Sequence, residues 1–268
     1  SYDKNISLFF QNTTDTFHNY NNKIIIDLFN LVQDTNIKKM DKTNRFLFIE
    51  SLLDQASKIS QISDLIYSRT SKELRIFITD IVKPKANEKI IDFTTGTGSI
   101  ILESLIKYDI NHDFCLNNPL FYANDISKRM LKYLILHSYI SELKNNIKIE
   151  HNDIISDFGF NDHTHFDKIY INPPIGYKTP REKISPFLNS QTTNGDLLFL
   201  KIAISSLNQN GIAAVIVPPN LLFSTSMQHI EIREDLINYV NLKYVIKLPE
   251  KFNNTSLNSY LIIFEKKF

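Results

Sequence analysis

The chain has 268 residues, of which 43% are hydrophobic, and a formal net charge of +1. Its length predicts one large domain, or a catalytic domain with a helical addition, and its hydrophobic share is enough for a full core. A single cysteine excludes an internal disulfide and no apolar run approaches the roughly 20 residues that span a bilayer, so we expect a cytoplasmic protein without a membrane segment.

The N-terminal part of the chain carries apolar residues at helical spacing. One run predicts a helix from Phe17 to Leu31, and the run of Phe46, Ile49 and Leu53 predicts a second helix.

A third helix is predicted from its start signal. Thr70-Ser71-Lys72-Glu73 is typical of a capping box, and Leu74 and Ile78 would lie on the buried face of the helix that it opens. We therefore predict an N-terminal helical region of residues 1–82, followed by a second domain of residues 83–268.

From residue 89 onward, short apolar runs alternate with helical stretches, which predicts a parallel α/β sheet. Seven strands are predicted, near Lys89–Phe93, Phe121–Asn124, Ile147–Glu150, Lys168–Ile171, Ala213–Val217, Leu242–Lys247 and Ser259–Phe264. The helices between them are predicted near Gly98–Tyr108, Ser127–Leu143, Asp196–Leu207 and Glu231–Val240. No helix precedes the last strand. Because a parallel crossover needs about a dozen residues or more, usually with a helix, we expect this strand to run antiparallel.

A short motif, Asn172-Pro173-Pro174-Ile175, follows the fourth predicted strand. Proline cannot donate to the strand ladder and restricts the residue before it, so Asn172 is expected at the carboxyl end of the strand. Open α/β sheets bind their ligands there. An amide at that place, together with the neighbouring backbone carbonyl, can accept hydrogen bonds from an exocyclic amino group. This is the chemistry needed to methylate the amino group of adenine, cytosine or glutamine.

This motif and one other resemble a known family. Asn-Pro-Pro-(aromatic) is the catalytic motif of amino-methyltransferases that use S-adenosylmethionine, and Ile91–Ser99 is similar to their cofactor loop. From Phe166 to Phe268 the chain most resembles the modification (methyltransferase) subunit of type I restriction–modification systems. The resemblance implies a seven-stranded, Rossmann-like class I methyltransferase fold, N6-adenine methylation of DNA, and a separate specificity subunit. The near-neutral charge fits a partner, since it supplies no global attraction to DNA.

The resemblance also implies the contacts of the cofactor. At strand ends, Asp92 would face its cationic amino group, Asp125 its ribose hydroxyls and Asp153 its adenine amino group. Two alternatives stay open at these positions, a helix N-cap for Asp125 and a solvated turn residue for Asp153. The glycine loop alone could be an ordinary strand-to-helix turn. The implied cofactor contacts are Asp92, Thr94, Gly96, Thr97, Gly98, Asp125, Ile126, Asp153, Ile154 and Asn172.

For catalysis, the Asn172 amide oxygen and the Pro173 carbonyl would hold the two amino hydrogens of the target. The nitrogen lone pair would then point at the sulfonium methyl, without a metal. Ile175 stands where the family has an aromatic residue on which a flipped base stacks, a contact worth about 1–3 kcal/mol. Tyr177 could supply that ring, or pack at the domain rim. The candidate catalytic residues are Asn172, Pro173, Pro174, Ile175 and Tyr177.

Three further features of the sequence have simple structural explanations. The loop Tyr177–Gly195 is basic, through Lys178, Arg181 and Lys183, and could contact phosphates or be a solvated loop. Asp196 is predicted as the N-cap of the next helix. His163 and His165 lack further ligands and do not predict a metal site.

The sequence therefore predicts an S-adenosylmethionine-dependent, adenine-specific DNA methyltransferase. The alternatives are an amino-methyltransferase acting on protein glutamine or RNA, and a degenerate binding or scaffold protein with the same fold. Ile175 and the near-neutral charge favour the degenerate protein, whereas intact Asn172, Asp92 and Gly96 oppose it.

Overall fold

The computed structural model describes residues 37–59, 69–85, 87–107, 120–159, 165–249 and 258–267. The helix predicted from Phe17 to Leu31, as well as Cys115 and His163, lies outside these residues. The chain divides into two compact units, Ser1–Met40 and Asp41–Phe268. In the first unit the described part is a 3-10 turn at Ile37–Lys39.

The second unit is built on a seven-stranded sheet in the order β3-β2-β1-β4-β5-β7-β6. The strands are β1 (Ile90–Asp92), β2 (Phe121–Asn124), β3 (Ile147–Glu150), β4 (Phe166–Ile171), β5 (Leu207–Val217), β6 (Val240–Leu248) and β7 (Ser259–Lys266). Pairing from β3 through β5 is parallel, and β7 is antiparallel to both of its neighbours. The seven predicted strands and the reversed last strand are confirmed.

Helices cover both faces of this sheet. They are α1 (Lys42–Ile59), α2 (Lys72–Val82), α3 (Ser99–Lys107), α4 (Lys128–Ile140), α5 (Ile154–Asp157), α6 (Gly195–Ser206), α7 (Pro219–Phe223) and α8 (Met227–Tyr239). The short helices α5 and α7 were not predicted, because one turn is too short to establish a hydrophobic period. Among the described helices, none is both long and apolar enough to cross a membrane.

Strand β4 explains how the core is divided. Ile169 and Ile171 belong to a cluster with α5, α6 and α8, whereas Tyr170 belongs to a second cluster with α1 to α4. Successive strand side chains point to opposite faces, so a strand covered on both sides reads as a continuous apolar run. Because β4 is buried on both faces, its carboxyl end is held firmly where the Asn-Pro-Pro motif begins.

Helices α1 and α2 pack close to the sheet. α2 contacts α3, and α1 contacts both α3 and α4. Phe46, Leu74 and Ile78 are buried in the second cluster, as their spacing predicted. These helices come from the segment predicted as a separate region, and the boundary near residue 82 stays a prediction.

The start of α2 differs from the predicted capping box by one residue. Ser71 is the N-cap, and its Oγ accepts a hydrogen bond from the Leu74 N–H at 3.4 Å. Thr70 therefore does not cap the helix, and its hydroxyl bonds elsewhere. A sequence pattern cannot distinguish two adjacent hydroxyl residues as caps, because both satisfy the same residue preference.

Candidate functional site

A cavity of about 340 Å³ lies at the carboxyl ends of the parallel strands. This volume falls in the range of about 300–1,000 Å³ that is usual for small-molecule sites. Of the predicted site residues, those that line the cavity are Thr94, Gly96, Asp125, Ile126, Asp153, Ile154, Asn172, Pro174 and Tyr177. The lining does not include Asp92, Thr97, Gly98, Pro173 or Ile175.

The glycine loop forms one wall, and its two glycines serve different purposes. Gly96 lines the cavity with a φ of +55°, a left-handed conformation that glycine adopts without steric cost. Gly98 has a φ of +85°, and a Cβ there would lie 2.2 Å from Leu134 Cδ1 of α4. The second glycine is therefore required by the packing of α4 against the loop.

Asp92 lies behind this loop. Its side chain is 2% exposed, and its Oδ1 accepts a hydrogen bond from the Thr94 N–H at 3.0 Å. Burial raises the pKa of Asp92 to about 8; the Thr94 N–H opposes this shift and the charge of Asp125 adds to it. In this position the carboxyl group braces Thr94.

Asp125 joins the glycine loop to α4. Its Oδ2 accepts from the Gly96 N–H at 2.7 Å, and its Oδ1 accepts from the Ser127 N–H at 2.8 Å. Burial raises the pKa of Asp125, and the two N–H donors oppose that shift. The N-cap of α4 is Ser127, so the cap alternative for Asp125 is wrong.

Asp153 is the N-cap of α5. Its Oδ1 accepts from the Ile155 N–H at 3.2 Å, and its Oδ2 accepts from the Ser156 hydroxyl at 2.8 Å. Asp153 also lines the cavity, as does Ile126, which is 56% exposed. A partly exposed apolar side chain next to a hydrogen-bond acceptor is a suitable surface for a flat heterocycle such as adenine.

Asn172 is held at two points. Its backbone N–H donates to Thr94 Oγ1 at 2.9 Å, and its side-chain Nδ2 donates to Thr70 Oγ1 at 3.0 Å. No residue in the described part of the chain donates a hydrogen bond to Oδ1 of Asn172. The sequence interpretation missed this role of Thr70, since the capping signal assigned its hydroxyl to α2.

The chain after the motif returns to the cavity at Tyr177. This side chain is 36% exposed and lines the cavity with Asn172 and Pro174, whereas Ile175 does not. The Tyr177 carbonyl accepts from the Gly195 N–H at 2.7 Å. A Cβ on Gly195 would lie 2.9 Å from Tyr177 Cδ1, so the ring packs tightly on that glycine.

Asp196 anchors the same loop. Its two carboxylate oxygens both lie 3.2 Å from the backbone N of Gly176, and its side chain is buried. Burial raises the pKa of Asp196, and the Gly176 N–H opposes that shift. The N-cap of α6 is Asn194, whose side chain accepts from the Asp196 N–H, so the cap prediction for Asp196 is wrong.

Lys178, Arg181 and Lys183 are exposed on the loop that runs from Tyr177 to α6. Arg181 bonds Gln191 within that loop. In the part of the chain that the structure describes, no group of three histidine, cysteine or acidic residues is placed to hold a metal ion.

Comparisons with known proteins agree on one family. Residues 67–268 match the family described as N-6 DNA Methylase. The chain is 25% identical over 197 residues to the type I restriction enzyme EcoKI methylase subunit of Escherichia coli K12. The matched region covers 67% of this chain and 36% of that protein. The chain thus spans little more than a third of the length of this curated relative.

Solved structures share the fold. The type I restriction–modification methyltransferase subunit of Streptococcus thermophilus has a TM-score of 0.64 at 22% identity, covering 75% of this chain and 45% of that one. A Listeria monocytogenes protein assigned as a class I S-adenosylmethionine-dependent methyltransferase has a TM-score of 0.69 at 13% identity, covering 87% and 70%. The fold is therefore that of class I methyltransferases, and S-adenosylmethionine is the cofactor that fold and family imply.

Proposed function

The chain belongs to the N-6 DNA methylase family, and we propose that it transfers a methyl group from S-adenosylmethionine to the N6 amino group of adenine in DNA. The observation that carries the proposal is a single cavity lined by Asn172 together with Asp125 and Asp153. Asn172 is expected to accept hydrogen bonds from the target amino group. Asp125 and Asp153 are expected to accept hydrogen bonds from the nucleoside part of the cofactor. Their presence in one cavity opposes the reading of a degenerate scaffold.

The lining fits S-adenosylmethionine by its chemistry. Asp125 and Asp153 offer carboxylate oxygens to ribose hydroxyls and to an amino group, and Ile126 offers apolar surface to the adenine ring. Gly96 contributes to the same wall. When bound, this cofactor supplies an electrophilic methyl group on a sulfonium. Asp92 would act from behind the loop by holding Thr94 in place.

Asn172 is the proposed catalytic residue. Its Oδ1 and the Pro173 carbonyl would accept the two hydrogens of the target amino group, which localises the nitrogen lone pair and orients it. Such acceptors act most strongly on the transition state, where positive charge develops on the nitrogen. The Thr94 hydroxyl holds the backbone of Asn172, so the amide is oriented before the target binds.

Tyr177 is the proposed platform for the target base. The expected aromatic position holds Ile175, and Tyr177 lines the cavity two residues later beside Pro174. A base that is flipped out of the DNA duplex could stack on the Tyr177 ring. This contact would replace the base stacking lost from the duplex. Tyr177 would then hold the target base, in addition to closing the loop.

A partner completes the proposal. The relatives are named as methylase subunits of type I restriction enzymes, and we propose a separate specificity subunit that reads the DNA sequence. The exposed Lys178, Arg181 and Lys183, on the loop that begins at the cavity-lining Tyr177, would contact phosphates near the target. We also propose that the protein is cytoplasmic, as expected from its sequence.

The test has a binding arm and a transfer arm. Calorimetric titration of S-adenosylmethionine into the chain, with S-adenosylhomocysteine for comparison, is expected to give micromolar binding. Incorporation of labelled methyl groups into DNA that lacks N6-methyladenine is then compared for the wild type and Asn172→Ala. We expect the variant to bind the cofactor normally and to lose about 100- to 1,000-fold in rate.

Asn220→Ala, an asparagine exposed on α7, is the matched control and is expected to keep full activity. Equal, measurable rates for the wild type and Asn172→Ala would contradict the mechanism. Absence of cofactor binding would favour the degenerate scaffold, or a subunit whose site is completed only inside its complex. In parallel reactions that offer RNA or protein, label there in place of DNA would leave the chemistry intact and change the substrate.

A further inference from the structure

Asn172 has an amide whose two ends are chemically different, and only one end suits the proposed reaction. The oxygen can accept a hydrogen from the target amino group, whereas the NH2 end would meet that group donor to donor. An asparagine that rotates freely about its last bond would present the wrong end part of the time. The residue that orients the amide therefore bears directly on the rate.

Thr70 is the residue in contact with the NH2 end. Its Oγ1 lies 3.0 Å from Asn172 Nδ2, across 102 positions of sequence, and the threonine side chain is 6% exposed. The bond is part-buried, so water competes for the donor less than it would at an exposed site. With Nδ2 bound to Thr70, Oδ1 is left for the target.

Thr70 is itself held on both sides along the chain. Arg69 is buried, and its guanidinium bonds Glu50 at 3.0 Å, Asp54 at 2.7 Å and the Thr97 hydroxyl of the glycine loop at 3.2 Å. On the other side, Ser71 caps α2. Charge-assisted bonds of this kind are among the stronger contacts in a protein. The backbone at Thr70 therefore has little freedom to move away from Asn172.

The geometry points to Thr70 as a positioning residue that sets the orientation of the Asn172 amide. This inference rests on the proposed function, because it matters for the rate only if Asn172 accepts from the target. Thr70 lies in the segment before α2 and is not among the residues that line the cavity. Its action on the reaction is therefore through Asn172.

The kinetic test compares three variants. Thr70→Val keeps the shape and removes the acceptor, and we expect kcat for methyl transfer to fall about 10- to 100-fold with the calorimetric Kd of S-adenosylmethionine unchanged. Thr70→Ser keeps the hydroxyl and is expected to recover most of that loss. Thr79→Val is the matched control: Thr79 is fully buried on α2, where its hydroxyl bonds the Ile76 carbonyl, and kcat should not change.

A second measurement does not depend on activity. The side-chain 15NH2 signals of Asn172, identified by their loss in Asn172→Ala, are expected to exchange slowly with solvent in the wild type. In Thr70→Val they should exchange much faster, and in Thr79→Val they should not change.

Two results would overturn the inference. One is an Asn172 NH2 signal that is the same in the wild type and Thr70→Val, whether or not the chain methylates DNA. The other is a weakened cofactor Kd with an unchanged kcat in Thr70→Val, which would assign Thr70 to cofactor binding. A wild type that binds no cofactor and transfers no methyl group would instead contradict the proposed function, and the exchange measurement would still decide the role of Thr70.

Discussion

The carboxylate of Asp196 and the backbone N–H of Gly176 join the first turn of α6 to the loop after the Asn-Pro-Pro motif, with both oxygens 3.2 Å from the nitrogen. A buried acid at the start of a helix usually serves that helix. Here Asn194 caps α6, so Asp196 is left to bind the loop. This contact fixes the residue before Tyr177, which lines the cavity.

Removing the Asp196 anchor should loosen the loop. A hydrogen bond to a charged group contributes about 1.5–3 kcal/mol, so Asp196→Ala is expected to raise the KM for DNA about 10-fold, with little change in cofactor Kd. Asp196→Asn keeps one acceptor oxygen, so its KM for DNA should lie between those of the wild type and Asp196→Ala. Steady-state kinetics on unmethylated DNA measures the KM, and calorimetric titration measures the cofactor Kd. Asp235→Ala removes a partly exposed acid that pairs with Lys201 at 3.7 Å, and serves as the control. A cofactor defect in Asp196→Ala that exceeds the DNA defect would contradict this role.

Tyr177 should act through its ring. Tyr177→Leu loses base stacking worth about 1–3 kcal/mol, and the KM for DNA is expected to rise about 10- to 100-fold, whereas Tyr177→Phe should stay near the wild type. Tyr244→Leu makes the same change at an exposed tyrosine on the edge strand β6. If Tyr177→Leu and Tyr244→Leu have equal KM values, Tyr177 is a rim residue and the base platform lies elsewhere.

Asp92 should make stability depend on pH. Its folded-state pKa of about 8 lies above its ordinary value of 3.8, so between these values the folded chain holds a proton that the unfolded chain has lost. The stability from this group is full below about pH 4 and is lost as pH rises to about 8. In Asp92→Asn this loss is absent, so its Tm advantage over the wild type should grow from pH 7 to about 8 and then level off.

Melting curves at pH 7, 7.5, 8.5 and 9 would measure this difference, in a range above the ordinary histidine pKa of about 6.5. Asp80→Asn makes the same substitution at an exposed acid that pairs with Lys107, and should follow the wild type across the range. A constant difference in Tm between Asp92→Asn and the wild type would mean that Asp92 is already ionised when folded at pH 7.

Alanine substitutions at two glycines should separate the stability lost through backbone strain from the stability lost through steric overlap. Gly98 and Gly176 have similar φ values, +85° and +78°, but a Cβ on the first meets Leu134 at 2.2 Å and one on the second meets nothing within 4 Å. Gly176→Ala should cost only backbone strain, of about 1–3 kcal/mol. Gly98→Ala should cost about 1–3 kcal/mol more from overpacking, as measured by denaturant unfolding. Equal losses would show that α4 moves to accommodate the methyl group.

The sequence by itself determined the fold and the place of the site. Strands buried on both faces produce continuous apolar runs, so β4 and its end at Asn172 could be recognised without a partner strand. The reversal of β7 followed from the short loop before it. These are local properties, because chain length and residue type restrict them directly.

Only the tertiary structure decided which side chains act on one another. The bonds from Asn172 to Thr70, from Arg69 to Thr97 and from Asp196 to Gly176 join residues that are 102, 28 and 20 positions apart. A hydroxyl or carboxylate has several local uses of similar energy, a helix cap among them, and the sequence favours the local one. Packing of α2, α3 and α6 around the sheet brings a distant partner within reach. For that reason the caps predicted at Thr70 and Asp196 were wrong, and both residues bind the site loops instead.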